Sequence, residues 1–395
     1  MKRGQPALAL TGATIHLGDR VLPTAYGPFA VHFFRDLAHA RTSMAVALGD
    51  LTGAAPVLAR VHSSCVTSEC LGACDCDCAE QLDAALAAIA QAGRGLLFYL
   101  VQEGRGAGLA AKARDRMLVQ ASRNRLTTFE AYSEMGLPAD LRTYHEVAPI
   151  TRLLGVRAPL RLLTNNPEKA QAVARALAED KIEVCGTRPI HGLASPFNSH
   201  YLEAKARSGH RLGGVRRTLG ALPPDPVIAE PPMSAIEAPH LVSTARYWLP
   251  VSLEAYASRV ALPPDSEVDV EGVAWLSLRV VFDRRSGRES ILLRRMSREP
   301  GAKTATARAA DFRILGMIDR LPTPIAEGRL AIRQRLHAMR GASGGALVVD
   351  FDETGRDAAR LPGAEQRLRR AAAEEMLAAR WPSPGSGTEI EHDGD

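Results

Sequence analysis

The chain has 395 residues, of which 46% are hydrophobic and 24% are charged. This length exceeds what one hydrophobic core usually organises and predicts two domains, while the composition excludes wholesale disorder. The formal net charge of +5 favours a polyanionic ligand without distinguishing a nucleic acid from a nucleotide or a phosphate. We find neither a convincing signal peptide nor an apolar run of membrane length, so we expect a cytoplasmic protein without a membrane partner.

The first half of the chain predicts strands that alternate with helices. Three short apolar segments between polar or glycine-containing turns predict an early sheet: 29–34, 44–48 and 56–61. From Gln81 the apolar spacing becomes helical, Gly93 is a stop signal, and the run 96–101 predicts a buried strand. A strand at 160–163 leads into an alanine-rich helix, with Asn-Pro at 166–167 as its N-cap and first residue. This alternation predicts a mixed α/β (α+β) domain.

The second half of the chain is less regular. A proline-rich stretch with little periodicity, 220–239, predicts a linker. Beyond it, 268–283 predicts a strand that pairs with 289–293, whereas 305–340 is mostly helical in pattern and 364–380 predicts a basic helix. The sequence after the linker offers no metal cluster, phosphate loop or nucleophile with its base. We therefore expect this half to serve oligomerisation or packing.

A dense group of cysteines precedes the first predicted helix. Five of the six cysteines lie within fourteen positions: Cys65, Cys70, Cys74, Cys76 and Cys78. Alternate residues of an extended strand share one face and pair poorly as disulfides, so metal ligation suits the cluster better. Three thiolates without a second Cys-x-x-Cys knuckle favour zinc with an open fourth position, which suits hydrolysis of an electron-poor carbon. Spacing alone leaves open a closed four-cysteine site, His62 as a ligand, or an iron–sulfur cluster.

Several short motifs together resemble the GTP cyclohydrolase II family. Residues 60–65 are Arg-Val-His-Ser-Ser-Cys, and Cys-Asp-Cys follows after ten residues at 76–78, with Gln81 at the start of the next helix. Four further blocks agree with the family in their order: 102–105 with 108–109, 128–131, 136–140 with Arg142, and 162–169. The resemblance spans roughly residues 25 to 212, and five blocks in one order make it specific.

The motif blocks and the composition together predict five segments along the chain. They are an N-terminal extension (1–24), a GTP cyclohydrolase II-like catalytic domain (25–215), a proline-rich linker (216–240), a smaller α+β accessory domain of unknown role (241–380) and a disordered tail (381–395). The resemblance implies the catalytic domain, GTP as the substrate, Mg²⁺ at the phosphates and a homodimer, whereas the simple form of the family lacks the region beyond the linker. We further expect Cys185 to lie in a core strand.

The resemblance also implies the residues of the site. Cys65, Cys76 and Cys78 would bind one zinc ion per chain, which leaves Cys70 and Cys74 outside the family pattern. The positions that match nucleotide contacts are Arg60, Val61, His62, Ser63, Ser64, Gln81, Glu103, Gly104, Arg105, Thr128, Thr164 and Lys169. Guanidinium groups suit the triphosphate because they offer paired donors to phosphate oxygens, and the Glu103 carboxylate suits the guanine edge.

The family's reaction starts at the phosphates of GTP. Attack on the α-phosphorus releases pyrophosphate, and a zinc-activated water then opens the imidazole ring at C8. The matching positions make Arg142 the phosphorus nucleophile and Asp140 the proton acceptor. Arginine is normally always protonated, so a second interpretation has Arg142 stabilising the phosphoryl charge while Asp140 orients it.

One position departs from the family pattern. The family carries a tyrosine three residues before a glutamine, whereas here Met117 precedes Gln120, and the pairing allows a shift of one residue. A thioether cannot donate a hydrogen bond, so we expect Met117 to be a specificity position. The reaction would then stop at 2-amino-5-formylamino-6-ribosylamino-4(3H)-pyrimidinone 5′-phosphate. Met117 as helix core, with another group in the tyrosine's role, is the alternative.

Three alternative functions follow from the same features. A complete GTP cyclohydrolase II would also release formate and give 2,5-diamino-6-ribosylamino-4(3H)-pyrimidinone 5′-phosphate for riboflavin synthesis. A GTP-binding sensor and a nucleic-acid-binding zinc module belong to other classes. Retention of the three cysteines with Asp140 and Arg142 argues against a silent sensor. Few aromatic residues lie near the basic blocks, so we expect no nucleic-acid partner.

Overall fold

A computed structural model describes residues 10–192, 194–212, 220–229, 234–235, 240–252, 273–295, 312–313, 336, 345–351, 371–372 and 375–376. These residues form two sheets, and the mixed α/β class predicted from the sequence is confirmed. Within them, no helix has the length and apolar character needed to span a membrane. The predicted tail at 381–395 lies outside the described residues.

The first sheet carries the candidate site. Its strands are β1 (Leu10–Thr11), β2 (Thr14–Thr24), β3 (Gly27–Asp36), β4 (Arg41–Leu48), β5 (Val57–Ser63), β6 (Gly95–Leu100), β7 (Leu160–Leu163) and β8 (Val184–Arg188). Among the described residues their order is β1-β2-β3-β4-β6-β5-β7-β8, and the last four in this order run parallel. Because carboxyl ends of parallel strands meet at one edge, the loops after Ser63, Leu100 and Leu163 lie together.

Helices cover both faces of this sheet. They are α1 (Val66–Glu69), α2 (Cys78–Ala92), α3 (Leu109–Ala121), α4 (Thr128–Glu134), α5 (Val147–Leu153), α6 (Pro167–Leu177) and α7 (Ser199–Arg207). Apolar residues of α2 pack on one face, and those of α5 and α6 pack on the other. The central strands β4, β5 and β6 are therefore buried on both sides, whereas β2 and β8 are largely exposed or half-buried.

Most local predictions in this half are confirmed. All five predicted strands correspond to β3 to β7, and Cys185 lies half-buried in β8. The first long helix begins at Cys78, three residues before the predicted Gln81, and ends at Gly93 with φ 70°. Asn166 caps α6 by accepting hydrogen bonds from the amides of residues 168 and 169, at 2.9 and 3.2 Å. Pro167 is the first helical residue.

The second sheet is formed by the later part of the chain. Its strands are β9 (Ser234–Ala235), β10 (Leu241–Ser252), β11 (Val273–Asp283), β12 (Arg288–Arg295), β13 (Phe312–Arg313) and β14 (Gly345–Phe351). Their order among the described residues is β13-β14-β12-β11-β10-β9. The predicted antiparallel pair is confirmed as β11 and β12.

The structure differs from two of the predictions for this half of the chain. The helical pattern of 305–340 is wrong at 312–313, which pair in parallel with β14, although residue 336 is helical. The proline-rich stretch contains β9, which pairs with β10, and the Ala221 amide donates to the Pro196 carbonyl at 2.8 Å. Sheet hydrogen bonds override local propensity at these positions. Of the predicted basic helix, the described residues 371–372 and 375–376 are helical.

The second sheet packs directly on the domain that carries the cysteines. One apolar cluster joins Met117 and its neighbours on α3 with β10, β11, β12 and β14. The Gln120 side chain makes two hydrogen bonds with the backbone of Trp248, at 2.7 and 2.9 Å. The Cys74 amide donates to the Pro250 carbonyl at 2.8 Å. The strand β10 therefore holds both α3 and the cysteine loop in place.

We expect truncation of the sheet face toward α3 to loosen the cysteine loop. Leu249→Ala should lower the free energy of unfolding by about 2–5 kcal/mol and accelerate amide exchange over residues 70–76, because Leu249 is fully buried in the shared cluster. Leu292→Ala, on the opposite face of the same sheet, is the matched control. Hydrogen-exchange mass spectrometry distinguishes them, and equal exchange of the loop in both variants would contradict the bracing role.

Candidate active site

The three cysteines predicted as zinc ligands lie together. Cys65 follows β5, while Cys76 and Cys78 precede and begin α2. The sulfurs of Cys65 and Cys76 are 3.6 Å apart, and all three sulfurs lie within 4.8 Å of one another. Neither Cys70 nor Cys74 belongs to this group, and all six cysteines are free thiols. Within the described part of the chain, the group has three members and no fourth cysteine, histidine or carboxylate.

A buried carboxylate holds the loop that presents Cys65. Glu69 accepts a hydrogen bond from the Cys65 amide at 2.9 Å, and its second oxygen accepts from the Tyr99 hydroxyl at 2.6 Å. The Nε2 atom of His62 lies 2.8 Å from Glu69. His62 is therefore engaged with this carboxylate and does not belong to the cysteine group.

The thiols carry unequal charge in this arrangement. The pKa of Cys65 is held well below its usual value because the Cys76 and Cys78 thiols hydrogen-bond to its sulfur and the Lys112 ammonium lies 3.0 Å away. The Cys65 thiolate in turn raises the pKa of Cys76 and Cys78. One ammonium group balances one thiolate, so a divalent cation is needed to hold all three thiolates. The donor set thus fits zinc, with these three cysteines as its ligands.

Both carboxylate oxygens of Glu103 are engaged by protein donors. Its Oε1 atom accepts from the Lys112 ammonium at 2.8 Å, and Oε2 accepts from the Val66 amide at 2.6 Å. Burial raises the pKa of Glu103, although the Lys112 charge opposes this effect. In this structure the carboxylate supports Lys112 and the start of α1, both next to the thiols.

Basic side chains dominate a cavity of about 290 Å³ beside the thiols. Its cationic or basic lining residues are Arg60, Arg105, Arg142, Lys169, Lys205 and His210. A second cavity, of about 70 Å³, contains the three cysteines. The two cavities share five lining residues: Ser63, Cys78, Arg105, Arg142 and Tyr201. They therefore form one cleft, with the thiols at one end and most of the basic residues at the other.

A chain of buried hydrogen bonds orients Arg60. Its guanidinium donates to the Leu163 carbonyl at 2.7 Å and to the Gln81 side chain at 2.6 Å. Gln81 donates to Asp77 at 2.6 Å, and Lys205 donates to the other oxygen of Asp77 at 2.6 Å. Burial lowers the pKa of Arg60 to about 10, although Asp77 opposes this effect. Arg60 is thus preorganised and still charged at neutral pH.

Asp140 and Arg142 form a bidentate ion pair, and Arg142 lines both cavities. The Arg142 Nε and Nη2 atoms donate to the two Asp140 oxygens at 2.8 and 2.5 Å. Burial alone would lower the pKa of Arg142, but the hydrogen bonds to Asp140 raise it above its ordinary value. The same bonds lower the pKa of Asp140 against the effect of burial. The guanidinium therefore keeps its proton.

The loop after β6 requires glycine at 106. Gly106 has φ 87°, and a Cβ atom there would lie 2.9 Å from the backbone of Leu141. The Leu141 amide donates to the Arg105 carbonyl at 2.9 Å, which ties this loop to the one that carries Arg142. Arg105 lies over the Phe129 ring at 4.0 Å and donates to the Ala139 carbonyl at 3.2 Å. These contacts aim Arg105 into the cleft.

All but two of the predicted site residues line this cleft. Val61 is one exception, since its side chain lies in the core and its carbonyl accepts from Lys169 at 3.2 Å. Met117 is the other: it is fully buried in the cluster shared with the second sheet. This burial fits the alternative of Met117 as helix core, and a direct role at the reacting atoms is not supported.

The neighbouring residue Arg116 lines the cleft where Met117 does not. Its Nε atom lies 3.2 Å from Asp75, and its guanidinium lies 4.7 Å from the centre of the Tyr201 ring. Burial opposes its charge, but Asp75 and Asp115 raise its pKa well above the ordinary value. The sequence allowed a shift of one residue here, and only the helix register decides which side chain faces the cleft.

Sequence reasoning missed several residues of the cleft. Lys112, Lys205, Tyr201 and His210 line it, yet none belongs to a motif block used in the sequence analysis. The Arg211 amide donates to the Asn165 carbonyl at 2.8 Å, which brings the segment after α7 against the loop that follows β7. The sequence does show several basic residues after Tyr201, over 201–211. No local pattern, however, indicates which part of the chain they contact.

Comparison with known proteins agrees with the motif blocks. A family model described as GTP cyclohydrolase II matches residues 16–189. GTP cyclohydrolase-2 of Pseudomonas putida (strain W619) is 44% identical over 193 residues, which are 49% of this chain and 90% of that relative. GTP cyclohydrolase-2 of Pseudomonas syringae pv. tomato is 44% identical over 198 residues, covering 50% of this chain and 93% of that one. The second sheet lies outside the residues of the family match.

One solved structure is also similar in part. It is a two-domain 3,4-dihydroxy-2-butanone 4-phosphate synthase from A. baumannii, with 18% sequence identity and a TM-score of 0.26. The match covers 46% of this chain and 41% of that chain. At this level of similarity it carries no argument about the fold or the site.

We expect Lys169 and His210 to take up protons when a polyanion binds in the cleft. Burial and the nearby arginines lower the pKa of Lys169 well below its usual value, and burial with Lys205 lowers the pKa of His210 to about 4. A bound polyphosphate raises both pKa values, so protons are taken up at any pH above the free-state pKa and below the bound-state pKa.

Calorimetry with tripolyphosphate in buffers of different ionisation enthalpy measures this uptake. Lys169→Arg should remove the part seen at alkaline pH, and His210→Gln the part seen at mildly acidic pH. Heats that do not depend on the buffer across the whole pH range would contradict the prediction.

Proposed function

This chain belongs to the GTP cyclohydrolase II family, and from that premise we propose that it is a zinc-dependent hydrolase that opens the imidazole ring of GTP at C8 and releases pyrophosphate. The observation that carries the proposal is the single cleft with three cysteine thiols at one end and a cluster of cations at the other. Such a cleft suits a substrate with a triphosphate and a hydrolysable carbon at opposite ends.

The cationic end would bind the triphosphate. Arg60 and Arg105 are held with their guanidinium groups toward the cleft, and Lys169 lies in the first turn of α6. The dipole of a helix stabilises a phosphate near its N-terminus, although Asn166 already accepts from the amides of residues 168 and 169. We propose that Mg²⁺ accompanies the triphosphate, as in the family. Ser63 and Thr164, which also line the cleft, would add neutral donors.

Arg142 would act on the α-phosphorus by stabilising charge. Its raised pKa keeps the guanidinium protonated, and a protonated guanidinium is not a nucleophile. Asp140 orients it through both oxygens, so the remaining N–H donors keep a fixed position as negative charge develops on the phosphoryl group. We therefore favour the electrostatic role over covalent attack by arginine.

The cysteine end would carry out the ring chemistry. Zinc bound to Cys65, Cys76 and Cys78 would supply Lewis acidity and lower the pKa of a nearby water. Lys112 lies between Cys65 and Glu103, so it can neutralise part of the thiolate charge and donate a hydrogen bond. Tyr201 lines both cavities and is the group closest in kind to the hydroxyl that the family pattern contains.

We propose that the formyl group is retained, and that Arg116 rather than Met117 is responsible. A guanidinium with a raised pKa can donate hydrogen bonds but cannot exchange a proton as a hydroxyl does. The ring-opened formamide would then leave before its second hydrolysis. The alternative is that the Tyr201 hydroxyl performs the role of the family's tyrosine. The enzyme would then complete the hydrolysis and release formate, as riboflavin synthesis requires.

Two features of the proposal concern the protein as a whole. We propose that the protein is a homodimer with GTP as its small-molecule partner, as the resemblance to the family implies. We also propose that it is cytoplasmic. The second sheet would contribute by holding α3 and the cysteine loop, since both make backbone or side-chain hydrogen bonds with β10. Sedimentation equilibrium of the full chain tests the dimer directly.

The identity of the product tests the role of Arg116. The zinc-loaded protein is incubated with GTP and Mg²⁺, and pyrophosphate, formate and product mass are measured separately. We expect pyrophosphate without stoichiometric formate, and an increase in formate for Arg116→Tyr. Met117→Leu, which changes only the core, should leave the product unchanged. Stoichiometric formate from the unmodified protein would defeat retention of the formyl group, and no consumption of GTP would favour a sensor.

Substitution of Arg142 tests the phosphoryl step. Arg142→Lys keeps the charge but loses the paired donors, so we expect kcat for pyrophosphate release to fall by about 10²–10³-fold with a smaller change in KM. Arg161→Lys, at an exposed position on β7, is the control. Steady-state pyrophosphate release measures both variants, and a kcat within a few-fold of the unmodified protein would exclude this role for Arg142.

A further inference from the structure

A second cluster with metal-ligand chemistry lies far along the first sheet from the cysteines. His16 and Asp19 on β2 and His32 on β3 place one imidazole nitrogen or carboxylate oxygen each within 4.8 Å of the others. In the strand order, β4 and β6 separate β3 from β5, the strand that precedes Cys65. At about 4.8 Å per strand, β3 lies about 14 Å from β5. The cluster is thus distinct from the cleft.

A β-bulge brings these side chains onto one face. The pairing of β2 with β3 shifts between His16 and Gly18, so His16 lies opposite Phe34 while Asp19 lies opposite His32. Residues three apart on a regular strand face opposite sides of the sheet, whereas the extra residue of a bulge restores them to the same side. Gly18 has φ 143°, which favours glycine at this position.

The two imidazoles each have a nitrogen without a partner. His16 Nε2 and His32 Nδ1 are shielded from solvent and make no hydrogen bond in the structure. His16 also stacks on Phe34, with ring centroids 5.0 Å apart, which fixes the plane of its ring. Burial and the neighbouring His16 lower the pKa of His32, so this imidazole is neutral at neutral pH and its lone pair is available.

A cluster of the same composition elsewhere has a different explanation. His39 and His145 both contact Asp36, at 2.7 and 3.0 Å, and their nitrogens are therefore satisfied by hydrogen bonds to the carboxylate. No ion is needed to account for that arrangement. The contrast isolates the unusual feature of the first cluster, namely two imidazoles that each keep a buried nitrogen without a hydrogen bond although they lie beside a carboxylate.

We propose that His16, Asp19 and His32 bind a divalent first-row transition-metal ion, with zinc as the probe. Two imidazoles and one carboxylate suit zinc, cobalt and nickel, and leave further positions for water. Ligand atoms around tetrahedral zinc lie about 3.3 Å apart, so small side-chain rotations close the site. The ion would satisfy both nitrogens and join β2 to β3, which stabilises the N-terminal end of the sheet.

Zinc stoichiometry of the full chain tests this site. The protein is loaded with excess zinc, freed of unbound metal by gel filtration and analysed by elemental mass spectrometry. We expect His16→Gln and His32→Gln to carry one zinc ion fewer than the unmodified protein, and His39→Gln, in the hydrogen-bonded cluster, to carry the same number. Added zinc should raise the Tm of a Cys76→Ser chain, and should not raise it for Cys76→Ser/His16→Gln.

Cobalt separates this site from the cysteines. Thiolate-to-cobalt charge-transfer absorption reports only the cysteine site, so it should be equal in the unmodified protein and in His16→Gln, which also shows that the variant is folded. Asp19→Asn provides a second variant with a smaller structural effect and should weaken zinc binding. Equal zinc content in the unmodified protein, His16→Gln and His32→Gln would overturn the proposal while leaving the proposed hydrolase function untouched.

Discussion

The charge balance of three enclosed thiols is the constraint on which the rest of the site depends. Lys112 can balance one thiolate, so the full donor set exists only with a divalent cation. Protein contacts position the loop that carries these sulfurs: Glu69 accepts a hydrogen bond from the Cys65 amide, and the Pro250 carbonyl accepts one from the Cys74 amide. A site preorganised in this way loses little conformational entropy on binding its ion.

The half of the cleft that is lined by basic residues has the opposite charge from the half that contains the thiolates. Its cations would repel one another without the two carboxylates placed among them, since Asp77 pairs with Lys205 and Asp140 pairs with Arg142. The Lys169 ammonium donates to the Val61 carbonyl, and burial with the charges of Arg142 and Arg60 lowers its pKa. The acidic residues thus keep Lys205 and Arg142 charged, whereas Lys169, with its lowered pKa, can take up a proton when an anion binds.

Residue motifs located the cleft well, and the structure adds protein contacts that the motifs did not indicate for several of its side chains. Glu103 supports Lys112 and Gln81 supports Arg60, so both act partly through a neighbour. Motif spacing cannot distinguish a residue that touches a ligand from one that orients it, because both lie in the same loop. The shift from Met117 to Arg116 has a related cause: one helical residue corresponds to a rotation of about 100°.

The sequence by itself determined the local elements of the first domain, since apolar periodicity, the Asn166 cap and the Gly93 stop depend on near neighbours in the chain. The motif blocks also singled out Cys65, Cys76 and Cys78 as a group, and these three thiols lie together in the structure. Only the tertiary structure decided which side chains meet across long separations, such as Lys112 with Cys65, 47 positions apart, and Gln120 with Trp248, 128 apart. Such pairs depend on how whole elements pack, and packing energy is spread over many residues that no local pattern contains.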